Sequence, residues 1–327
     1  MPIRQPDMPA FSFDVDARRL TLPLPEPYSY DETLHYLTRS PAECMHLVEG
    51  RTVHKLIETA GHPVWVTVKE HEIDRNVLTV RLAGDAPAAA VPEVASFVTD
   101  WLDLRTDLTP FYRLTASDPL LQPLADSFRG LRIVGIPNLF EALCWAIIGQ
   151  QVNLPFAYAL KQRFVHTFGE PVEQDGLVLW RFPQPAAVQH LSPEALRELQ
   201  FTGKKAEYII GLARLIADGA LSKEALLAAR DEEEDRAVER RLLAIRGIGP
   251  WTAHYVMMRC LRDPAAFPIG DAGLHNALKQ QLGLDRKPTE EEMKRLFSRW
   301  RGWEAYAVFY LWRSLTPSPA PAPNVVQ

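Results

Sequence analysis

Residues Leu242–Ala253 constrain the fold more than any other part of this 327-residue chain. An amphipathic helical pattern runs into Gly247-Ile248-Gly249, and a second helical pattern begins at once. Two glycines around one apolar residue permit a tight turn that larger side chains would obstruct, and the apolar residue can pack between the helices. The segment therefore predicts two helices joined by a short hairpin.

Some backbone N–H groups of this hairpin are available to bind a ligand. In the turn and in the first turn of the second helix, which contains Thr252, these groups lack helical partners. The helix dipole favours an anion at that end, so a phosphate can bind there, and phosphate contacts position a protein on DNA without reading its sequence. A plain corner between two helices, with glycine ending the first, explains the same pattern. Both interpretations stay open on this segment alone.

A single acidic residue follows the second helix. Asp271 ends the Pro/Gly-bounded loop Phe267–Asp271, and a new helical pattern starts directly after it. Asp is a preferred N-cap residue, which explains the position without any chemistry. A fixed carboxylate there can also stabilise positive charge on a sugar while an N-glycosidic bond breaks, and can orient the attacking water. The two roles are compatible.

Aromatic residues flank this carboxylate in the sequence. Trp251 and Tyr255 are four residues apart, on one face of the second hairpin helix, and Trp312 lies on the final helix. Electron-rich rings stack on a flipped base and favour a cationic base. Packing in the core explains any one such ring equally well. We predict core packing for three further aromatic residues, Trp300, Trp303 and Tyr306.

Composition narrows the class of protein. The formal net charge of -5 argues against a general nucleic-acid binder. However, residues 236–313 contain fourteen Lys or Arg and eight Asp or Glu, a local net charge of +6 on an otherwise acidic chain. Cys44, Cys144 and Cys260 form no paired motif, which argues against a zinc site, an iron–sulfur cluster or a disulfide framework. No run of apolar residues is long enough to cross a bilayer. The unpaired cysteines fit a reducing compartment, and we expect a cytoplasmic protein.

The patterns divide the chain into three parts. We predict a small α+β domain with an antiparallel sheet at 1–115, an all-helical region of two subdomains at 116–315, and a disordered Pro-rich tail at 316–327. Strand character is strongest at Val64–Val68 and Val77–Leu82, joined by a polar hairpin connection. Two helix starts are legible: Ser192 before Pro193, and a capping box from Thr289 to Glu292.

Several motifs in this order resemble the helix-hairpin-helix DNA glycosylase superfamily, most closely the DNA-3-methyladenine glycosylase II family. The motifs are the hairpin Ile245–Ala253, the loop Phe267–Asp271 and the helix Trp300–Trp312. Upstream, Phe140–Ala157 resembles the helix and loop with which the family probes DNA. Further segments of resemblance are 203–207 and, more weakly, 28–82. The resemblance implies a mainly α fold with a small N-terminal α+β domain.

The resemblance also implies roles by position. Asp271 matches the catalytic aspartate, and four aromatic residues match the base pocket: Trp251, Tyr255, Trp312 and Tyr36. Gln151 matches the residue that wedges into the gap left by the flipped nucleotide, where a member of the family has an apolar side chain. The remaining implied DNA contacts are Gly247, Ile248, Gly249, Thr252, Gln150 and Lys204. The family implies no required cofactor, although hairpin carbonyls are expected to hold a structural monovalent cation.

One position bears on the type of reaction. Superfamily members that cleave the strand carry a lysine nucleophile where this chain has Trp251, and members with an iron–sulfur cluster use four cysteines near the C-terminus. We therefore expect a monomeric, monofunctional enzyme that acts on alkylated purines in duplex DNA, associates with the nucleoid and leaves an abasic site. Two alternatives remain: a non-catalytic helix-hairpin-helix DNA-binding protein, and a glycosylase for deaminated or oxidised bases.

Overall fold

An antiparallel sheet of six strands forms the N-terminal part of the chain in the computed structural model, which describes residues 11–59, 62–83, 86–232 and 236–316. The strand order is β1-β2-β6-β5-β4-β3. The strands are β1 (Ser12–Asp14), β2 (Arg19–Pro23), β3 (His46–Glu49), β4 (Thr52–Glu58), β5 (Pro63–Glu70) and β6 (Val77–Leu82).

The predicted hairpin is confirmed as β5 and β6, with Val68 opposite Val80. Both side chains are fully buried because they lie on the face of the sheet that packs against helices. Those helices are α1 (Tyr30–Leu37) and α2 (Val91–Leu102), which is preceded by a short 3-10 turn at Ala88–Ala90. The sheet and the two helices enclose one hydrophobic core.

Helices dominate the rest of the described chain and enclose a second core. They are α3 (Thr109–Thr115), α4 (Leu121–Ser127), α5 (Leu139–Gly149), α6 (Leu154–Phe168), α7 (Pro185–Val188), α8 (Pro193–Glu198), α9 (Gly203–Ala217), α10 (Lys223–Glu232), α11 (Ala237–Leu243), α12 (Pro250–Arg259), α13 (Ala272–Gln281), α14 (Glu290–Phe297) and α15 (Glu304–Arg313). A 3-10 turn, Ser298–Trp300, follows α14. Helix α5 is apolar on nearly all sides, as a central helix must be, and it contacts α6, α9 and α12.

A second hairpin corrects the all-helical prediction for 116–315. Strands β7 (Glu170–Gln174) and β8 (Leu177–Arg181) pair antiparallel. Their two connecting residues, Asp175 and Gly176, both have positive φ, at 51° and 77°. An Asp-Gly pair between strands favours this turn, so the sequence carried the signal.

Several local predictions are confirmed. Ser192 caps α8 by accepting a hydrogen bond from the backbone N–H of Ala195. Thr289 and Glu292 form the capping box of α14. The aromatic residues assigned to the core are buried: Trp300, Trp303 and Tyr306.

One prediction falls on residues without a description. The Pro-rich tail lies, after Thr316, outside the described residues. Among the described helices, none combines the length and apolar character needed to cross a membrane.

Candidate active site

The hairpin between α11 and α12 has the geometry expected from its glycines. Gly247 has φ +95°, and a Cβ there would lie 2.4 Å from the Cγ atom of the Tyr208 ring, so both conformation and space require glycine. Ile248 packs into the helical core and is 6% exposed. Gly249 is the N-cap of α12. The predicted pair of helices joined by a tight hairpin is therefore confirmed.

The first turn of α12 directs backbone donors outward. Its first helical bond runs from the Ala253 N–H to the Gly249 carbonyl, so the amides of Trp251 and Thr252 precede the ladder. The Thr252 side chain is buried, and its hydroxyl accepts a hydrogen bond from Gln150 Nε2 at 2.9 Å. Any phosphate contact at Thr252 would therefore use its backbone N–H.

Gln150 and Gln151 occupy different environments at the end of α5. The Gln150 amide donates to the Gly247 carbonyl and to the Thr252 hydroxyl, both at 2.9 Å, and so joins α5 to the hairpin. Gln151 is exposed and has φ +56°, which turns its side chain out of the helix. Two exposed apolar residues follow it, Leu154 and Phe156.

Lys204 lies on a separate element of the same region. It is exposed in the first turn of α9. Its neighbour Lys205 is buried and donates to the Ile148 carbonyl at 2.8 Å, which fixes the start of α9 against α5. Lys204 is thereby presented to solvent by a helix anchored in the core.

Asp271 is the N-cap of α13, as predicted. Its Oδ1 atom accepts from the backbone N–H of Leu274 at 2.7 Å and from Trp312 Nε1 at 2.8 Å. Its Oδ2 atom accepts from Trp251 Nε1 at 3.1 Å. Three N–H donors from three helices therefore hold one half-buried carboxylate in a single orientation.

The predicted aromatic residues meet around this carboxylate. The rings of Trp251 and Tyr255 lie 5.5 Å apart between centroids, and those of Tyr255 and Trp312 lie 6.2 Å apart. Phe309 extends the group, at 6.2 Å from Trp312 and 5.1 Å from Tyr36. Helix α1 of the N-terminal part thus contributes a ring to a cluster built mainly by α12 and α15.

Tyr255 forms the buried floor of the cluster. Its hydroxyl accepts from Trp145 Nε1 and from Arg259 Nη1, both at 2.8 Å. Burial raises the pKa of Tyr255 despite the nearby Arg259 guanidinium, so the phenol keeps its proton at neutral pH. The sequence reasoning missed Trp145 and Arg259. Only Arg259 left a signal, since it follows Tyr255 by one helical turn.

Two arginines line the wall formed by Tyr36. The Arg39 guanidinium lies 3.9 Å from the centroid of the Tyr36 ring, and the Arg259 guanidinium lies 5.1 Å from it. Arg39 Nε donates to the Tyr158 hydroxyl at 2.6 Å. Arg39 was not predicted, because it lies just after α1, far from the hairpin in sequence.

This arrangement can bind a planar ring between aromatic surfaces and place a fixed anion beside it. The carboxylate is oriented by neutral N–H donors, and so its charge is available to a positive centre in the pocket. Within the described ranges, no group of three or more His, Cys, Asp or Glu residues could hold a metal ion.

Two family models match the chain. The model described as HhH-GPD superfamily base excision DNA repair protein matches residues 144–302, and the AlkA N-terminal domain matches residues 19–138. A DNA-3-methyladenine glycosylase of Bacillus subtilis (strain 168) is 43% identical over 299 residues, 90% of this chain and 97% of that protein. DNA-3-methyladenine glycosylase 2 of Escherichia coli (strain K12) is 30% identical over 184 residues, 56% of this chain and 60% of that protein.

Solved structures share the fold. A 3-methyladenine DNA glycosylase from Archaeoglobus fulgidus superimposes with a TM-score of 0.77 at 23% identity, covering 90% of this chain and 97% of that one. A Clostridium acetobutylicum 8-oxoguanine glycosylase/lyase in complex with double-stranded DNA gives a TM-score of 0.72 at 16% identity, covering 94% and 98%. At these identities the likeness shows the fold alone. The expected mainly α architecture with a small N-terminal α+β domain is confirmed.

Proposed function

The chain belongs to the HhH-GPD superfamily of base excision DNA repair proteins and is a DNA glycosylase; on that premise we propose that it removes alkylated purines from duplex DNA. The damaged nucleotide rotates out of the helix into the aromatic pocket. Its N-glycosidic bond is hydrolysed beside Asp271. The products are the free base and an abasic site in an intact strand.

The position of Asp271 carries this proposal. As the glycosidic bond breaks, positive charge develops on the sugar, and a carboxylate held by three N–H donors can stabilise it without having to reorient. The same carboxylate can orient or deprotonate the attacking water. Capping α13 and promoting hydrolysis are therefore two effects of one fixed side chain.

The aromatic pocket supports an alkylated purine as the substrate. Alkylation of a ring nitrogen makes a base cationic, which strengthens its stacking on Trp251, Tyr255 and Trp312 and makes it a better leaving group. Deaminated and oxidised bases are neutral, and their departure needs protonation by an acid. Among the described residues that surround Asp271 in the aromatic pocket, we find no second carboxyl group suited to that task.

Hydrolysis without strand cleavage is supported by Trp251. A lyase needs an amine nucleophile at the sugar, and the indole Nε1 at this position instead donates to Asp271. Strand nicking by the purified enzyme, without added alkali, would contradict this part of the proposal.

We assign DNA binding to the hairpin and its neighbours. The free amides at the start of α12 bind a phosphate, Lys204 adds a positive charge, and the exposed Gln151 enters the gap left by the flipped nucleotide. We further propose that the enzyme acts as a monomer on chromosomal DNA in the cytoplasm.

A monovalent cation fits the hairpin carbonyls. The carbonyls of Ile245 and Gly247 each accept one hydrogen bond and keep a second lone pair. Such an ion would hold the turn for phosphate binding and would take no part in the chemistry. We expect DNA affinity to be higher in potassium than in lithium chloride at equal ionic strength.

Release of free base from methylated duplex DNA tests the main proposal. Chromatography of the supernatant should show 3-methyladenine, and the DNA should gain alkali-sensitive sites in equal number. A non-catalytic helix-hairpin-helix protein would bind the same DNA and release nothing. A panel of duplexes with single defined lesions separates alkylated from deaminated and oxidised substrates.

A further inference from the structure

A cavity of about 50 Å³ lies beside the ring of Tyr36, at the far end of the aromatic cluster from Asp271. The chain of contacts leads from Asp271 to Trp312, which donates to it, then to Phe309, Tyr36 and finally Arg39. The cavity is too small for a purine, but it has room for the polar edge of one.

Hydrogen-bond donors around this cavity lack partners. The Tyr36 hydroxyl is buried without a hydrogen-bond partner among the described residues. Arg39 uses Nε to bind the Tyr158 hydroxyl, and within the described part of the chain its two Nη atoms make no hydrogen bond. Arg259 uses Nε and Nη1 for the Val134 carbonyl and the Tyr255 hydroxyl. A buried polar group without a partner is costly, so the Tyr36 hydroxyl marks a place where a polar group of a ligand binds, and the partly exposed Arg39 Nη atoms lie beside it.

Acidic residues on the cavity wall do not fill that role. Glu43 and Glu141 both face Lys161, whose Nζ lies 3.0 Å from one carboxylate and 3.6 Å from the other. Glu43 also accepts from the backbone N–H groups of Cys44 and Met45. The guanidinium of Arg39 therefore remains available to a ligand that carries acceptors.

We propose, on the basis of the proposed function, that Arg39 is a specificity-determining residue that donates to the C6 oxygen of a flipped 6-oxopurine. A purine is attached to its sugar through N9 of the five-membered ring, and C6 lies on the six-membered ring, away from the sugar. A base whose sugar is at Asp271 therefore directs its C6 edge toward Tyr36 and Arg39. The guanidinium can donate an N–H to that oxygen, and this holds for 7-methylguanine too, whose alkylated N7 is no longer an acceptor. A 6-aminopurine places an N–H₂ donor there instead, against donors on the protein.

The test compares bases released from one sample of methylated DNA. The wild-type enzyme is compared with the variants Arg39→Ala, Arg39→Lys and Arg51→Ala. Each is assayed for release of 7-methylguanine and 3-methylguanine, which carry the C6 oxygen, and of 3-methyladenine, which carries an amino group at C6. In Arg39→Ala we expect release of the 6-oxopurines to fall roughly tenfold to hundredfold, the range for loss of one hydrogen bond from a charged donor. Release of 3-methyladenine should stay equal or rise. Arg39→Lys keeps a charged donor with a different geometry and should lie between. Arg51 is exposed on the N-terminal part and serves as the matched control.

A structural role for Arg39 predicts a different result. If Arg39 only packs against Tyr36, its variants lower release of all bases in parallel, and that outcome overturns the proposal, as does an unchanged ratio. Inhibition of the wild-type enzyme by free bases tests the same contact without a variant. Hypoxanthine should inhibit at lower concentration than adenine, and the reverse order would contradict the assignment. If the wild-type enzyme releases none of the methylated bases, the proposed function itself fails, whatever Arg39 does.

Discussion

Replacing Asp271 with Asn tests the role of this residue in base excision separately from its role as the N-cap of α13. In the variant, the amide oxygen keeps the hydrogen bonds from the Leu274 N–H and Trp312 Nε1, since two bonds outweigh one. The amide nitrogen then faces Trp251 Nε1, a second donor. The loss of that bond and of the negative charge at a helix N-terminus costs about 1–3 kcal/mol of stability. Asn is a good N-cap, so the variant should fold.

The effect on excision should be far larger. A positive sugar about 4 Å from the carboxylate gains about 4 kcal/mol at an effective dielectric constant near 20. Loss of that energy slows the reaction about 10³-fold. Single-turnover release of 3-methyladenine measures this rate, and fluorescence anisotropy with a duplex that contains an abasic-site analogue measures DNA affinity, which should stay within about threefold of wild type. Release within tenfold of the wild-type rate would refute the assignment of Asp271.

Asp118 offers a matched control elsewhere in the fold. Its carboxylate also accepts from an indole, Trp300 Nε1 at 2.8 Å, and from backbone N–H groups, those of Leu120 and Leu121 at 2.9 and 3.0 Å. It also pairs with Arg299. Asp118→Asn should therefore lose at least as much stability as Asp271→Asn, while the folded fraction excises bases at the wild-type rate.

Three further predictions concern the pocket wall, the hairpin and pH. Trp251→Phe keeps a ring but removes one donor to Asp271, so single-turnover excision should fall about tenfold, for a bond worth about 1.5 kcal/mol; an unchanged rate would show that this bond is dispensable. Gly247→Ala places a Cβ against a tyrosine ring at φ +95°, so it should weaken DNA binding and lower the free energy of unfolding by on the order of 1–3 kcal/mol. Gly249→Ala, at φ -95° with open space around the Cβ, should lower it by less than about 1 kcal/mol in denaturant titrations. Burial lowers the pKa of His46 to about 4, so below pH 6.5 the unfolded chain binds a proton that the folded chain does not, and stability falls as pH falls. Urea unfolding should show about 2 kcal/mol more loss between pH 7 and pH 5 than in His46→Gln, and equal slopes would contradict the linkage.

Local features of this protein could be predicted from the sequence because they depend on neighbouring residues. The hairpin follows from Gly247 and Gly249, the cap at Asp271 from its place before a helical run, and the β5–β6 hairpin from β-branched residues around a polar turn. The helical spacing of Trp251 and Tyr255 correctly placed both rings on one face. The Asp175-Gly176 turn carried the same kind of local signal.

Tertiary structure decided how these pieces combine. Asp271 reads as a helix cap in the sequence, and only the folded chain brings the indoles of Trp251 and Trp312 onto its two oxygens from different helices. In the sequence Arg39 has no feature that distinguishes it from other charged residues. Only packing places it, just after α1, over Tyr36 at the end of the aromatic cluster. Spacing along a helix or strand is set by backbone geometry, which the sequence pattern reveals. The orientation of side chains from distant elements depends on how complete helices pack, and no local pattern records that.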